Sequence, residues 1–98
     1  MDKNQIPVLC ILKTGEIFKV YEVTGQAEMA MPAHHSTKEA VVIVKEGTAI
    51  LNIQENKHLL EKGDVFIIPA KQSHSLELKT EFKAIVIMEN DSNIKFEN

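Results

Sequence analysis

Four side chains in this sequence could hold a proton or a metal ion at one point: His34, His35, Glu39 and His74. The first three fall in "MPAHHSTKEAVVIVKEG", residues 31–47, and the fourth in "GDVFIIPAKQSHSLELK", residues 63–79. Neutral imidazole binds Fe, Zn or Ni and titrates near neutral pH, and two imidazoles with one carboxylate form the open-sided non-heme iron arrangement. His35, Glu39 and His74 supply that set for a divalent metal, with Mn a further candidate; His34 enters only if the strand slips by one residue. Adjacent residues on a strand point to opposite faces, so His34 and His35 are expected to do different jobs.

Alternation assigns them. Counting by twos gives Ala27, Met29, Met31, Ala33 and His35 on one face, and Glu28, Ala30, Pro32 and His34 on the other. The first set is apolar, so His35 is expected to end an inward stripe and His34 to face out. Pro32 demands an edge or a bulge, where a register slip is possible. The same count puts His74, Leu76 and Leu78 on one inward face. Two histidines heading inward stripes would meet at a pocket mouth, with Met29, Met31 and Leu76 as its apolar wall.

The elements that must carry these residues are short. Apolar or alternating runs at 16–23, 27–33, 40–46, 48–53, 57–60, 64–69, 74–78 and 82–88 are separated by turn residues such as Thr24-Gly25, Gly47 and Lys62-Gly63. Strands this frequent indicate an all-β antiparallel sandwich or barrel, with a β-hairpin across 48–60. The first dozen residues admit either a strand or a helical turn. The tail 90–98 is polar and expected to be mobile, with Ile94 and Phe96 able to tuck onto a neighbour. The run "AVVIV" is apolar on both faces, and burial of the outer one favours a homodimer.

Composition narrows the partners. Ninety-eight residues suit one domain, 1–98, with 44% hydrophobic and 26% charged residues marking a folded globular chain. A net charge of −3 and 5% aromatic residues give no basic stripe and little to stack on bases, so nucleic acid is not an expected partner. The apolar run "IPVLCIL" is too short to cross a bilayer and reads as structure, with no membrane association expected. Cys10 is the only cysteine, which fits a reducing cytoplasm and an inert buried thiol. His58, beside Lys57 in the hairpin, reads as a surface residue.

The segment Gly63–His74 resembles the second motif of the cupin family, in which glycine, five residues, proline, a short turn and histidine recur. Gly63, Pro69 and His74 match, and Lys71 stands where a glycine is usual. The segment "HHSTKEAVVIVKEG" resembles the first motif but departs from it. Counted back from Gly47, the glutamate position falls on Ala40, the second histidine on His35 and the first on Ala33. The register therefore keeps His35 and His74 of the usual ligands, and Glu39 sits one place early.

This resemblance implies a jelly-roll β-barrel (double-stranded β-helix) over about residues 14–88, often dimeric. It implies a family containing metal-dependent enzymes, small-molecule binders and members without known activity. The expected function is small-molecule binding at a barrel mouth marked by His35 and His74, with at most a weakly held divalent metal. The alternative is a metal-dependent dioxygenase or isomerase.

Overall fold

The computed structural model describes residues 6–97, and every regular element among them is a strand. In chain order these are β1 (Val8–Thr14), β2 (Phe18–Gly25), β3 (Ala30–Ser36), β4 (Ala40–Glu46), β5 (Ala49–Ile53), β6 (Asn56–Leu60), β7 (Val65–Ile68), β8 (His74–Leu78), β9 (Phe82–Glu89) and β10 (Ile94–Phe96). They form two five-stranded antiparallel sheets, β1-β2-β9-β4-β7 and β10-β3-β8-β5-β6. The pairs nest: β5 with β6, β4 with β7, β3 with β8 and β2 with β9. One long hairpin folded over itself in this way is a jelly roll. Nesting also explains how His34 and His74, distant in sequence, come to lie opposite each other on paired strands.

The interior follows from alternation. Ala40, Val42 and Val44 of β4, Ala49, Leu51 and Ile53 of β5, and Phe82, Ala84 and Met88 of β9 are all buried in one core. Val41 and Ile43, the other face of the same "AVVIV" run, are half-buried on the outer side of the first sheet. Strand β1 pairs only with β2 at the sheet edge and is exposed along its whole length. Cys10 is accordingly an exposed thiol, not the buried one its apolar neighbours suggested. The tail forms a short strand, β10, an antiparallel partner to residues 34–36.

Backbone conformation accounts for the turn residues. The hairpin turn is two residues, Gln54 and Glu55, both with positive φ (54° and 66°), as a tight turn matched to strand twist requires. Lys71 has φ +64°, a left-handed conformation that an L side chain adopts at a cost and glycine does not. This is why glycine is usual at that position. Lys71 N–H donates to the Ser36 carbonyl at 2.7 Å, so the conformation is held by β3. Lys71→Gly is expected to leave stability unchanged or raise it by up to about 1 kcal/mol, strain relief outweighing the added chain entropy. Urea unfolding of the two proteins measures this directly, and a loss of stability would show that the Lys71 side chain makes a contribution the backbone argument omits.

Candidate functional site

The decisive local feature is a bulge in β3. Between Met31 and His34 the pairing with β8 shifts register, at Pro32-Ala33, where proline cannot donate to the ladder. The extra residue moves the inward stripe by one. Met31 is buried as alternation requires, but after the bulge His34 and Ser36 line the interior, and His35 turns to the other side. The structure thus corrects the assignment of His35 to the pocket. The inward histidine of the pair is His34.

His34 and His74 face each other across the ladder with ring centroids 4.2 Å apart and planes tilted by 60°. The Nδ1 atom of His34 lies 2.7 Å from the Pro32 carbonyl oxygen and that of His74 lies 3.0 Å from the Gln72 carbonyl oxygen. A carbonyl only accepts, so each Nδ1 carries the proton and donates it. In the neutral rings each Nε2 is then left with a lone pair. Burial, the largest cause, pushes both imidazole pKa values down; the bonds to the Pro32 and Gln72 carbonyls and the Glu97 carboxylate oppose it, while the neighbouring His35, and for His74 also His34, add to it. The pair is therefore neutral at neutral pH.

These rings sit in the wall of a cavity with about 70 Å³ open to the centre of a water molecule. Some 10–15 Å³ on that measure holds one water, so this space accepts a molecule of several heavy atoms. Besides the histidines and Ser36 its lining is entirely apolar, including Leu51, Ile68, Phe82, Val86 and Met88. Met31, His74 and Leu76 belong to this lining. Met29 does not: Glu28 has φ +76° and β3 starts only at Ala30, so Met29 precedes the strand and packs on the core near Gly25 instead.

Two wall residues, Ile94 and Phe96, come from β10, and the Phe96 ring lies 5.1 Å from that of His34. Their only trace in the sequence was the apolar pair spaced by two within a polar tail. His35 serves this same tail from outside, with Nδ1 2.8 Å from Glu97 Oε2; Ser73 Oγ donates to Glu97 Oε1, also at 2.8 Å. These two bonds, the His35 one foremost, hold the Glu97 carboxyl below its usual range. His58 is half-buried with its ring 5.0 Å from Phe66, an apolar contact and not the surface position expected.

A family profile for the cupin domain matches residues 19–88. The chain belongs to the cupin family. Among solved structures it resembles a cupin superfamily protein from Desulfitobacterium hafniense DCB-2, with TM-score 0.80 and 19% identity over 93% of this chain and 83% of that one. It also resembles a DMSP lyase from Ruegeria pomeroyi DSS-3, with TM-score 0.79 and 19% identity over 88% of this chain and 48% of that one. A variant of the salicylate 1,2-dioxygenase from Pseudoaminobacter salicylatoxidans gives TM-score 0.80 and 16% identity over 90% of this cupin and 30% of that chain. At these identities the likeness concerns the fold. No curated protein sequence matches the chain.

The metal site that the family resemblance implied raises the question of whether this cupin's residues suit an ion. Among the described residues no group of three His, Cys, Asp or Glu side chains converges. Glu39 lies just before β4 and is exposed, while the next residue, Ala40, is the one that faces the cavity. The set His35, Glu39 and His74 is therefore not assembled. His34 and His74 alone would leave a divalent charge without a compensating carboxylate in an apolar cavity, which is costly. The donor set does not fit a tightly held metal. What it offers is two hydrogen-bond acceptors at one side of an apolar chamber.

Proposed function

We propose that this cupin binds a small, mainly apolar molecule in the barrel cavity and orients it by a hydroxyl or similar donor presented to His34 and His74. The observation that carries this reading is the imidazole pair itself. Each Nδ1–H is committed to a backbone carbonyl, so both Nε2 lone pairs are pre-set as acceptors before any ligand arrives. Few, convergent polar groups in an apolar chamber are the usual composition of a small-molecule site. The lyase and dioxygenase activities belong to the structural neighbours, whose likeness here is one of fold.

Phenol and toluene test the proposal because they match in size and differ in the donor. Phenol is expected to raise the unfolding temperature at concentrations where toluene has a smaller effect. One added hydrogen bond is worth about 0.5–1.5 kcal/mol, so phenol should bind roughly two- to thirteenfold more tightly. His34→Ala and His74→Ala should remove that preference, and His35→Ala should leave it. Equal response to both compounds, or a preference that depends on His35, would refute the assignment. Elemental analysis of protein purified without chelator is expected to show metal well below one equivalent, and stoichiometric metal lost on His34→Ala would return the enzyme reading.

A further inference from the structure

Among the described residues that line the cavity only two are exposed, Leu9 on β1 at 37% and Phe96 on β10 at 56%. β1 and β10 are edge strands of the two sheets, so the mouth of the cavity lies between these edges. The edges are held unequally. β1 pairs with β2 along residues 8–14, whereas β10 pairs with β3 at only three positions. A short strand with few ladder bonds opens before the rest of its sheet.

The two ends of β10 are fixed differently. Before it, Ser92 is fully buried; its hydroxyl accepts from the Lys38 amide at 3.2 Å and its carbonyl from Lys19 Nζ at 2.8 Å. Asn93 N–H then donates to Thr37 Oγ1 at 2.9 Å, and Thr37 N–H donates to the Asn93 carbonyl at 3.0 Å. After it, Glu97 N–H donates to the Ala33 carbonyl at 3.0 Å. The Glu97 carboxylate accepts from His35 Nδ1 and Ser73 Oγ, and none of these three side chains lines the cavity. A fixed root, a short leaf carrying Ile94 and Phe96 into the cavity wall, and one side-chain clasp are the parts of a hinged cover.

We propose that β10 is a gate over the cavity, hinged at Ser92-Asn93 and latched by Glu97 on His35 and Ser73, and that its opening is the route to His34 and His74. That a ligand uses this route rests on the function proposed for the cavity; the opening itself needs no ligand. With the gate closed, the Phe96 ring lies 5.1 Å from that of His34, so the leaf seals the apolar chamber beside the imidazole pair. The bulge in β3 thereby gives its two histidines separate tasks. His34 faces the chamber, and His35, on the other side of the strand, is a positioning residue that acts on the chamber through the latch.

A thiol placed behind the gate measures its opening. Val42 and Val44 are both buried on the inward face of β4, and of the two only Val42 lines the cavity. Val42→Cys and Val44→Cys change side-chain volume little. Each is made with Cys10→Ala, which removes the exposed native thiol, and labelled with methyl methanethiosulfonate. Position 42 is expected to react through gate opening and position 44 only through unfolding of the barrel. Adding Glu97→Ala, which removes two hydrogen bonds outside the core, should speed labelling at 42 about tenfold. Ser73→Ala and His35→Ala should each give a smaller rise, and none of the three should change labelling at 44 more than about twofold. Acceleration of both positions alike overturns the gate, because the latch would then only stabilise the fold. Labelling at 42 that ignores Glu97→Ala also overturns it and moves the entrance to the β1 side. Phenol should slow labelling at 42; a Glu97 effect that persists with no protection by phenol supports the gate while removing the proposed ligand.

Discussion

Gly47→Ala is expected to destabilise the protein by about 3 kcal/mol or more, lowering its unfolding temperature by more than about 10 °C. Gly47 has φ +82° at the junction of β4 and β5, and a Cβ built there overlaps the Glu81 carbonyl oxygen, 2.7 Å from Thr80 Oγ1 and 2.9 Å from the Glu81 carbonyl carbon. Those atoms cannot withdraw easily. Thr80 Oγ1 accepts a hydrogen bond from Thr48 N–H, and Lys79 N–H donates to the Thr48 carbonyl, both at 3.0 Å. Gly63 supplies the control, because its φ of +91° is similar while nothing lies within 4 Å of its added Cβ. Gly63→Ala should cost only the left-handed backbone strain, about 1–2 kcal/mol. Chemical denaturation of both variants separates the contributions, and equal losses would show that the contact with Glu81 carries no weight.

Acidification is expected to destabilise the native state through His34 and His74. Both folded pKa values lie below the ordinary 6.5, burial being the largest cause. Well above pH about 6.5 both rings are neutral folded or unfolded, and no linkage arises. As pH falls below that value the unfolded chain takes up protons that the native cavity refuses, so stability declines until the folded pKa values are passed. The same protonation removes the Nε2 acceptors, and phenol binding should fall in the same window.

A His34→Leu/His74→Leu protein should show a flatter profile. Near pH 7.5 it forfeits two carbonyl hydrogen bonds, each worth about 1 kcal/mol, and should be no more stable than the parent. Near pH 5 it should be the more stable of the two, since it has no buried base to leave uncharged. Thermal unfolding at both pH values distinguishes the cases, and parallel profiles for parent and variant would contradict this account.

How much of this was readable beforehand follows the physics of each element. Strands β2 and β4–β9 were legible because β-branched residues alternate between turn signals, and β8 showed its inward face plainly in His74, Leu76 and Leu78. Strand β3 was harder. Pro32 signalled an irregularity, but the direction of the slip depends on its pairing with β8 and β10, and a one-residue slip exchanges the faces. That exchange put His34 inside and gave His35 to Glu97.

Glu39 failed as a ligand for a related reason. Adjacent residues oppose each other on β4, and burial of Ala40, Val42 and Val44 commits Glu39 to the outer face. The tail looked polar because only Ile94 and Phe96 face inward, and three residues become a strand when β3 offers an unpaired edge. Residue patterns alone were thus enough for the all-β class, the positions of β2 and β4–β9 and the inward stripe of β8. The choice of the histidine that completes the pair fell to the assembled fold, because it rests on inter-strand register, which local patterns do not encode.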